Sequence, residues 1–321
     1  MSFAYVLVEQ HNGALAPTTA ELISQAKVFG SVSAVVLGNA TIAPELVAEL
    51  GALGADSVMG AIVPDLDSRL IVPQVNALHA LAAQTPAPII LSAGADTNEI
   101  AGRLAARLAS GVLFDVVAIN ADRSASMSIF GDTIAVSAAV GGNSPIYTLR
   151  PGTQDLAATT VAAGAAVYNE FELPPAQNTE VTVKSYTPAV HGDRPELTQA
   201  KVVVAGGRGM DSAENFGAIV EPLADVLGGA VGATRDAVDL GYYPATFQVG
   251  QTGVSVSPDL YIGLGISGAI QHTSGMQTAK KIIVINNDEE APFFAIADLG
   301  VVGDAQEIAP LLTEELAKRK G

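Results

Sequence analysis

Apolar runs alternate with longer stretches of helical spacing through the first third of the chain. Ala4 to Val8 is unbroken and apolar, and Pro17 to Phe29 follows with Leu22, Ile23 and Ala26 at helical spacing behind the caps Thr18 and Thr19. Val32 to Leu37 reads as a second strand, and PELVAELGALGA, from Pro44, as a helix with proline in its first turn. Ser57 to Met59 is a third strand and Val72 to Gln84 the next helix. The apolar run PAPIILSAG, Pro86 to Gly94, leads into an Ala- and Arg-rich helix over Asn98 to Ala109. Strands and helices alternating at this spacing predict a mostly parallel sheet with helices on both faces.

Between Asp115 and Thr187 the period changes. DVVAIN, TIAVSAAV, SPIYTLR and EVTVKSYTP are short β-rich pieces separated by Gly, Asn, Asp and Pro, which predicts antiparallel additions to the sheet edge. Ser185 to Gln199 carries two prolines, a Gly-Asp pair and no apolar period, and reads as a linker. Alternation then resumes. KVVVAGGRGM runs from a strand at Lys201 into a glycine turn, followed by a helix over Glu214 to Leu227. AVGATRDAVDLG, Ala230 to Gly241, is the next strand and turn, and LYIGLGIS a strand leading into a short helix over Gly268 to Met276. KKIIVINND and PFFAIADLGVVGD, Lys280 to Asp288 and Pro292 to Asp304, supply two more strands. A helix from Ala305 to Lys320 closes the chain, its terminal KRK complementing the negative end of the helix dipole.

The pattern therefore predicts the α/β class in two domains, 1–190 and 200–321, each a mostly parallel sheet flanked by helices. A length of 321 residues suits two separate cores, and 49% hydrophobic residues with only 5% aromatics suits buried strands alternating with helices. In the first domain the βα turns HNGALAP and GNATIAP hold one glycine each, so that half reads as a scaffold and docking domain. The absence of cysteine excludes a disulfide framework, a thiolate metal site and a thiol nucleophile. The first residues, MSFAYVLVEQHNG, place no basic residue before the apolar run and read as a strand, not a signal peptide. Charges and glycines interrupt every run before the roughly 20 apolar residues that span a bilayer, so a soluble, cytoplasmic protein without membrane insertion is expected. A formal net charge of −17 argues against nucleic-acid binding and makes arginines beside glycine turns the first candidates to meet a polyanionic cofactor.

Candidate chemistry concentrates between Gln248 and His272, QVGQTGVSVSPDLYIGLGISGAIQH, where glycine turns, one strand and small polar side chains share a short span. Gly206, Gly207 and Gly209 form neither G-x-G-x-x-G nor a P-loop, so GGRG is either a phosphate site carrying Arg208 or a tight strand-to-helix turn. Arg235 lies just past a strand end, where ligands bind in open α/β sheets, or else pairs with Asp236 or Asp239 on the surface. Thr252 and Ser267 sit beside glycines that permit close backbone approach, or serve turn chemistry. His272 is the one histidine of the glycine-rich half, about one helical turn from Gly268, while His11, His79 and His191 read as structural. No second His, Cys or carboxylate pair stands at metal-ligand spacing, and no G-x-S-x-G elbow is present.

Taken in order, GGRGM, ENF, VGATR, AVD, QVGQTG, PDLYIGLGISGAIQH, GM, IVIN, APFF, ADLGVVGD and P-L resemble the C-terminal signature of the electron transfer flavoprotein alpha subunit family. The resemblance covers Lys201 to Leu312; the N-terminal half is similar in length and alternation. It implies a Rossmann-like second domain holding one FAD, and a beta subunit completing a heterodimer. Carried over by position, the implied FAD contacts are Arg208, Thr234, Arg235, Val249, Gly250, Gln251, Thr252, Ser267, Gly268, Ala269, Ile270, Gln271, His272, Asn286, Asp304 and Ala305. Thr234 stands where many relatives carry serine, and its hydroxyl is kept. The same resemblance implies that N–H groups around Ser267, with Arg208, meet the pyrophosphate, and that Asn286 and Asp304 hold the ADP half. Around the ring it implies Thr252 at N5, Arg235 over the isoalloxazine and His272 donating toward O2, which together favour an anionic semiquinone. The function so implied is electron carriage in fatty acid oxidation, from acyl-CoA and related dehydrogenases to a membrane quinone oxidoreductase, without substrate turnover of its own. Two other readings stay open: a bifurcating, NADH-linked relative, and a non-redox protein with a structural dinucleotide.

Overall fold

Alternate residues of the first strand, β1 (Phe3–Leu7), enter two different cores: Ala4 and Val6 one, Tyr5 and Leu7 the other. Such a strand is covered on both faces. The computed structural model describes residues 2–11, 13–130, 134–154, 164–173, 180–185 and 193–320, in two compact units, Met1–Thr187 and Pro188–Gly321.

In the first unit β1 is followed by a small antiparallel ribbon, β2 (Gln10–His11) with β3 (Ala14–Leu15). Then come α1 (Thr19–Ala26), β4 (Ser31–Gly38), α2 (Pro44–Ala52), β5 (Ser57–Ile62), α3 (Val72–Gln84), β6 (Ile89–Ser92) and α4 (Ala95–Leu108). The chain continues through β7 (Val112–Ile119), β8 (Ser124–Ile129), β9 (Ile134–Ala139), β10 (Ile146–Leu149) and β11 (Val167–Glu170). The main sheet has nine strands in the order β11-β5-β4-β1-β6-β10-β7-β8-β9. Leu22 and Ile23 of α1 and Leu46 and Leu50 of α2 pack on one face, with Val75 and Leu78 of α3 and Ile100 and Leu104 of α4 on the other.

Three expectations for this half need correction. SPIYTLR is not an antiparallel edge piece: its strand β10 runs parallel to both β6 and β7 inside the sheet, because Ile146 to Leu149 offers no exposed position on either face. Within the main sheet, antiparallel pairing among the described residues is confined to β7, β8 and β9, and β8 has no counterpart among the strands expected from the sequence. The described part of EVTVKSYTP, 180–185, forms no strand; the edge beside β5 is taken by β11, with the Tyr168 ring lying against Gly60 where a Cβ would stand 2.6 Å from it. Val-Thr-Val alternation suits any extended segment, and this one is held by one backbone bond, Val183 N–H to Ser68 O at 2.8 Å, and by Arg69, which meets Glu180 through Nε–Oε2 and Nη2–Oε1 bonds of 2.9 and 3.0 Å. His191 and the first half of the expected linker lie outside the described residues, as does the side chain of His11.

The second unit contains β12 (Val202–Gly206), α5 (Ala213–Leu227), β13 (Ala230–Ala233), α6 (Arg235–Asp239), β14 (Leu260–Leu264), α7 (Ile270–Thr273), β15 (Ile282–Asn286), β16 (Leu299–Val302) and α8 (Ala305–Lys320). Its five strands are all parallel, in the order β13-β12-β14-β15-β16. Ser212 Oγ accepts from Asn215 N–H at 3.1 Å and starts α5, which ends on Gly228 at φ 66°. Phe216, Val220 and Leu223 of α5 and Ala305 and Ala309 of α8 share one core, while Val249, Ile266, Met276 and Phe293 cover the opposite face from turn segments. The helix expected over Gly268 to Met276 shrinks to one turn, and Pro292 to Asp304 divides into a 3-10 turn and a four-residue strand. Among the described residues no helix is long and apolar enough to cross a membrane.

Candidate functional site

From β12 the chain moves to β13 on one side and returns to β14 on the other, so the strand order reverses between β12 and β14. Ligands of open α/β sheets bind outside the carboxyl ends of the strands at such a point. Here the two ends meet through glycine backbone: Gly207 N–H donates to Leu264 O at 2.9 Å and Gly209 N–H to Gly265 O at 3.1 Å. A Cβ on Gly207 would lie 2.4 Å from Gly265 O, and Gly265 itself has φ +60°. The glycines of GGRG thus join two strand ends in a tight turn, with Arg208 lining the space beyond it. Beyond them opens a cleft of about 870 Å³, toward the upper end of the roughly 300–1,000 Å³ usual for ligand pockets.

The opposite wall is the turn Gln248–Gly253 pressed against α7. Gly250 has φ +140°, and a Cβ there would stand 2.5 Å from Gln271 O; Gln251 N–H donates to the same oxygen at 2.7 Å. This contact needs glycine at 250.

The structure gathers the sequence candidates closely. Arg208, Thr234, Arg235, Val249, Gly250, Thr252, Ser267, Ala269, Gln271, His272, Asn286, Asp304 and Ala305 all line the cleft. Gln251, Gly268 and Ile270 are their chain neighbours but do not line it. Thr234 Oγ1 accepts from Ala237 N–H at 3.3 Å, capping α6 and fixing where Arg235 leaves the strand end. Asn286 is buried, its Nδ2 donating to Ile266 O at 2.8 Å and its Oδ1 accepting from Asp288 N–H at 3.0 Å. Asp304 Oδ1 accepts from Gln306 N–H at 2.8 Å at the start of α8.

His272 is buried too, at 6% exposed, and is the one ring among these residues. Its Nε2 lies 2.8 Å from Tyr261 Oη and its Nδ1 3.0 Å from Val249 O. Burial pushes its pKa down to about 4, only partly offset by the Val249 carbonyl, so the ring is neutral at physiological pH. Both nitrogens are engaged inside the protein, and donation toward a flavin O2 would exchange one of those bonds.

The cations at the mouth are exposed and loosely held. Arg208 Nη1 lies 3.9 Å from Asp236 Oδ2 and Arg235 Nε 3.3 Å from Asp239 Oδ2, so the surface-pair alternative for Arg235 is realised with Asp239. Sequence reasoning missed Gln306, whose Nε2 donates to Gly209 O at 3.0 Å and Asp211 Oδ2 at 2.8 Å, tying α8 to the GGRG turn. It also missed Tyr261; a strand tyrosine eleven residues before a histidine carries no local signal. Among the described residues no group of three or more His, Cys, Asp or Glu could hold a metal ion.

These features fit a dinucleotide cofactor. Two guanidinium groups face a cleft in an acidic chain, and the backbone N–H groups from Ser267 through Gln271 donate no hydrogen bond among the described residues. Unpaired donors in a run meet the acceptor-rich pyrophosphate well.

Comparison with known proteins agrees. Residues 196–277 match the family model described as the electron transfer flavoprotein FAD-binding domain, and residues 4–176 the electron transfer flavoprotein domain. The chain is 50% identical over 322 residues to the electron transfer flavoprotein subunit alpha of Mycobacterium leprae, covering 100% of both. It is 51% identical to that of Mycobacterium tuberculosis, again over 100% of both, and 40% identical to that of Paracoccus denitrificans, covering 97% of this chain and 99% of the relative. FAD is therefore the cofactor, and the chain belongs to the electron transfer flavoprotein alpha subunit family of electron carriers.

Proposed function

We propose that this chain is the FAD-bearing half of a heterodimer with a beta subunit, taking electrons from acyl-CoA-type dehydrogenases and passing them to a membrane quinone oxidoreductase. The observation that carries this reading is the cleft at the β12/β14 switch point, which Ser267, Ala269 and Gln271 line together with Arg208 and Arg235, and beside which the N–H groups from Ser267 to Gln271 donate no hydrogen bond among the described residues. That relatives are named "subunit alpha" supports the existence of a second subunit.

In this reading the sixteen cleft and near-cleft residues named from the sequence hold the cofactor. When bound, the isoalloxazine supplies the one-electron chemistry. The protein supplies charge and orientation. Ser267 and its neighbours offer N–H donors to the pyrophosphate, with Arg208 as an added cation. Asn286 and Asp304, at the ends of β15 and β16, take the polar contacts of the ADP half. Thr252, whose Oγ1 already accepts from Gln248 Nε2 at 2.8 Å, has its hydroxyl proton left to donate. Arg235 would bring a permanent positive charge beside the ring, where it would stabilise added negative charge. His272 is neutral and contributes shape, not charge.

The test is photoreduction of the Arg235→Ala holoprotein. Less one-electron-reduced anionic flavin than in wild type is expected, with FAD retained; an equal yield removes the ring-facing role of Arg235.

A further inference from the structure

Behind the cleft a directed chain of hydrogen bonds runs from the sheet to the Gln248–Gly253 turn. Tyr261 is the second residue of β14 and has no exposed surface, its ring 6.3 Å from that of Phe293. Its hydroxyl is 2.8 Å from His272 Nε2, and His272 Nδ1 is 3.0 Å from Val249 O. A carbonyl oxygen only accepts, so Nδ1 carries the imidazole proton; Nε2 is then a lone pair, and the tyrosine hydroxyl donates to it. No other arrangement satisfies all three groups with a neutral ring.

The far end of the chain is where the cleft wall is set. Val249 O accepts no backbone N–H among the described residues, whereas Val249 N–H is fixed on Ala233 O at 2.9 Å. The residues after it have little slack, since Gly275 and Gly250 pack so closely that a Cβ on Gly275 would stand 2.5 Å from Gly250 Cα. His272 is thus the side chain through which the strand interior holds the turn that carries Thr252.

We propose that Tyr261 is a positioning residue of the FAD cleft: by donating to His272 Nε2 it fixes the tautomer and orientation of that ring, and through it the Val249 carbonyl and the turn up to Gly253. Tyr261 itself does not line the cleft. Without its hydroxyl the Nε2 lone pair is buried and unpaired, and the ring regains a partner by turning toward the cleft, which takes Nδ1 off Val249. The proposal rests on the FAD reading of the cleft.

Tyr261→Phe removes one oxygen and keeps the ring, so the sheet is preserved. In wild-type holoprotein, ¹⁵N NMR of the histidine rings should show His272 with a protonated Nδ1 and an Nε2 that accepts a hydrogen bond. In the variant the Nε2 signal should leave its wild-type position and the Nδ1 proton should lose the signature of its bond to Val249 O, and FAD release should quicken about tenfold, the worth of one net buried hydrogen bond. Tyr243→Phe, which removes a comparable bond to Glu221 Oε1 at 3.0 Å, is the control for general loosening and should leave FAD release unchanged. His272→Asn keeps a donor for Val249 but is too short to reach Tyr261, so adding Tyr261→Phe to it should change FAD release no further. Release from Tyr261→Phe at the wild-type rate, or independent effects in the double variant, overturns the proposal alone. A wild-type protein carrying no FAD overturns the cofactor reading and this proposal together.

Discussion

Acid should weaken the FAD-binding unit through one histidine before the carboxylates respond. Burial holds His272 at about 4 in the folded protein, against 6.5 for an ordinary histidine. Between those two values the unfolded chain binds a proton that the folded chain refuses. The stabilisation from the neutral ring is therefore fully present above about pH 6.5 and is lost as pH falls toward about 4. At about 1.36 kcal/mol per pH unit the loss reaches roughly 2 kcal/mol at pH 5 and roughly 3.4 kcal/mol at most. The carboxylates of Asp225, held low by Arg194, and of Asp298, held low by Lys281, start from an ordinary value of 3.8, so their contributions are lost below this window. The assay is urea unfolding of wild type and His272→Asn at pH 7.5 and pH 5.0, with FAD at one saturating concentration. Wild type should lose about 2 kcal/mol more than the variant between the two pH values. Equal losses would refute the argument, because they would place the histidine in contact with solvent or in its protonated form.

Two further substitutions probe the scaffold. Gly268→Ala imposes φ +86° on a residue with a Cβ that would lie 2.4 Å from Phe293 N; left-handed strain and overpacking together should cost about 2–5 kcal/mol. Lower thermal stability of the second unit and loss of bound FAD should accompany it, and full FAD retention would show that the Ser267–Gln271 run tolerates displacement. Arg69→Met leaves Glu180, whose side chain is 10% exposed, without its guanidinium partner and should destabilise the first unit by about 3–5 kcal/mol. Adding Glu180→Leu should recover most of that loss in thermal unfolding; no recovery would mean the pair itself, not an abandoned charge, sets the stability.

The sequence pattern carried the parallel sheets well where an element was long and bounded. Val72–Gln84 and Ala305–Lys320 form helices at the expected residues, because proline in the first turn of one and a basic last turn in the other mark ends that local chemistry controls. It failed where pairing partners decide. Ile146–Leu149 and 180–185 are both short and β-rich, yet one is a buried parallel strand and the other no strand at all. Which edge a short strand joins depends on residues far away in the chain. The same division holds at the cleft. Arg208 and Arg235 were legible because cations are scarce in this chain and stand beside strand ends, while Tyr261 and Gln306 act through neighbours that only folding supplies.

Charge and geometry are assigned to different residues in this cleft, and the energetics explain why. Arg208 and Arg235 have side chains 74% and 64% exposed and hold Asp236 and Asp239 at 3.9 and 3.3 Å. Exposed pairs of that kind contribute about 0–1 kcal/mol, so exchanging a carboxylate for an anionic cofactor group costs little. His272 is in the opposite position: releasing either of its bonds strands a buried acceptor or lone pair, at about 1–3 kcal/mol each. Under the proposed reading, a residue that responds to the cofactor's charge is thus placed where its existing partner is weak, and one that holds the wall is placed where its partners are expensive to lose. It follows that replacing an arginine should alter how the bound flavin accepts charge while the turn stays in place, whereas disturbing the Tyr261–His272–Val249 chain should move the turn itself.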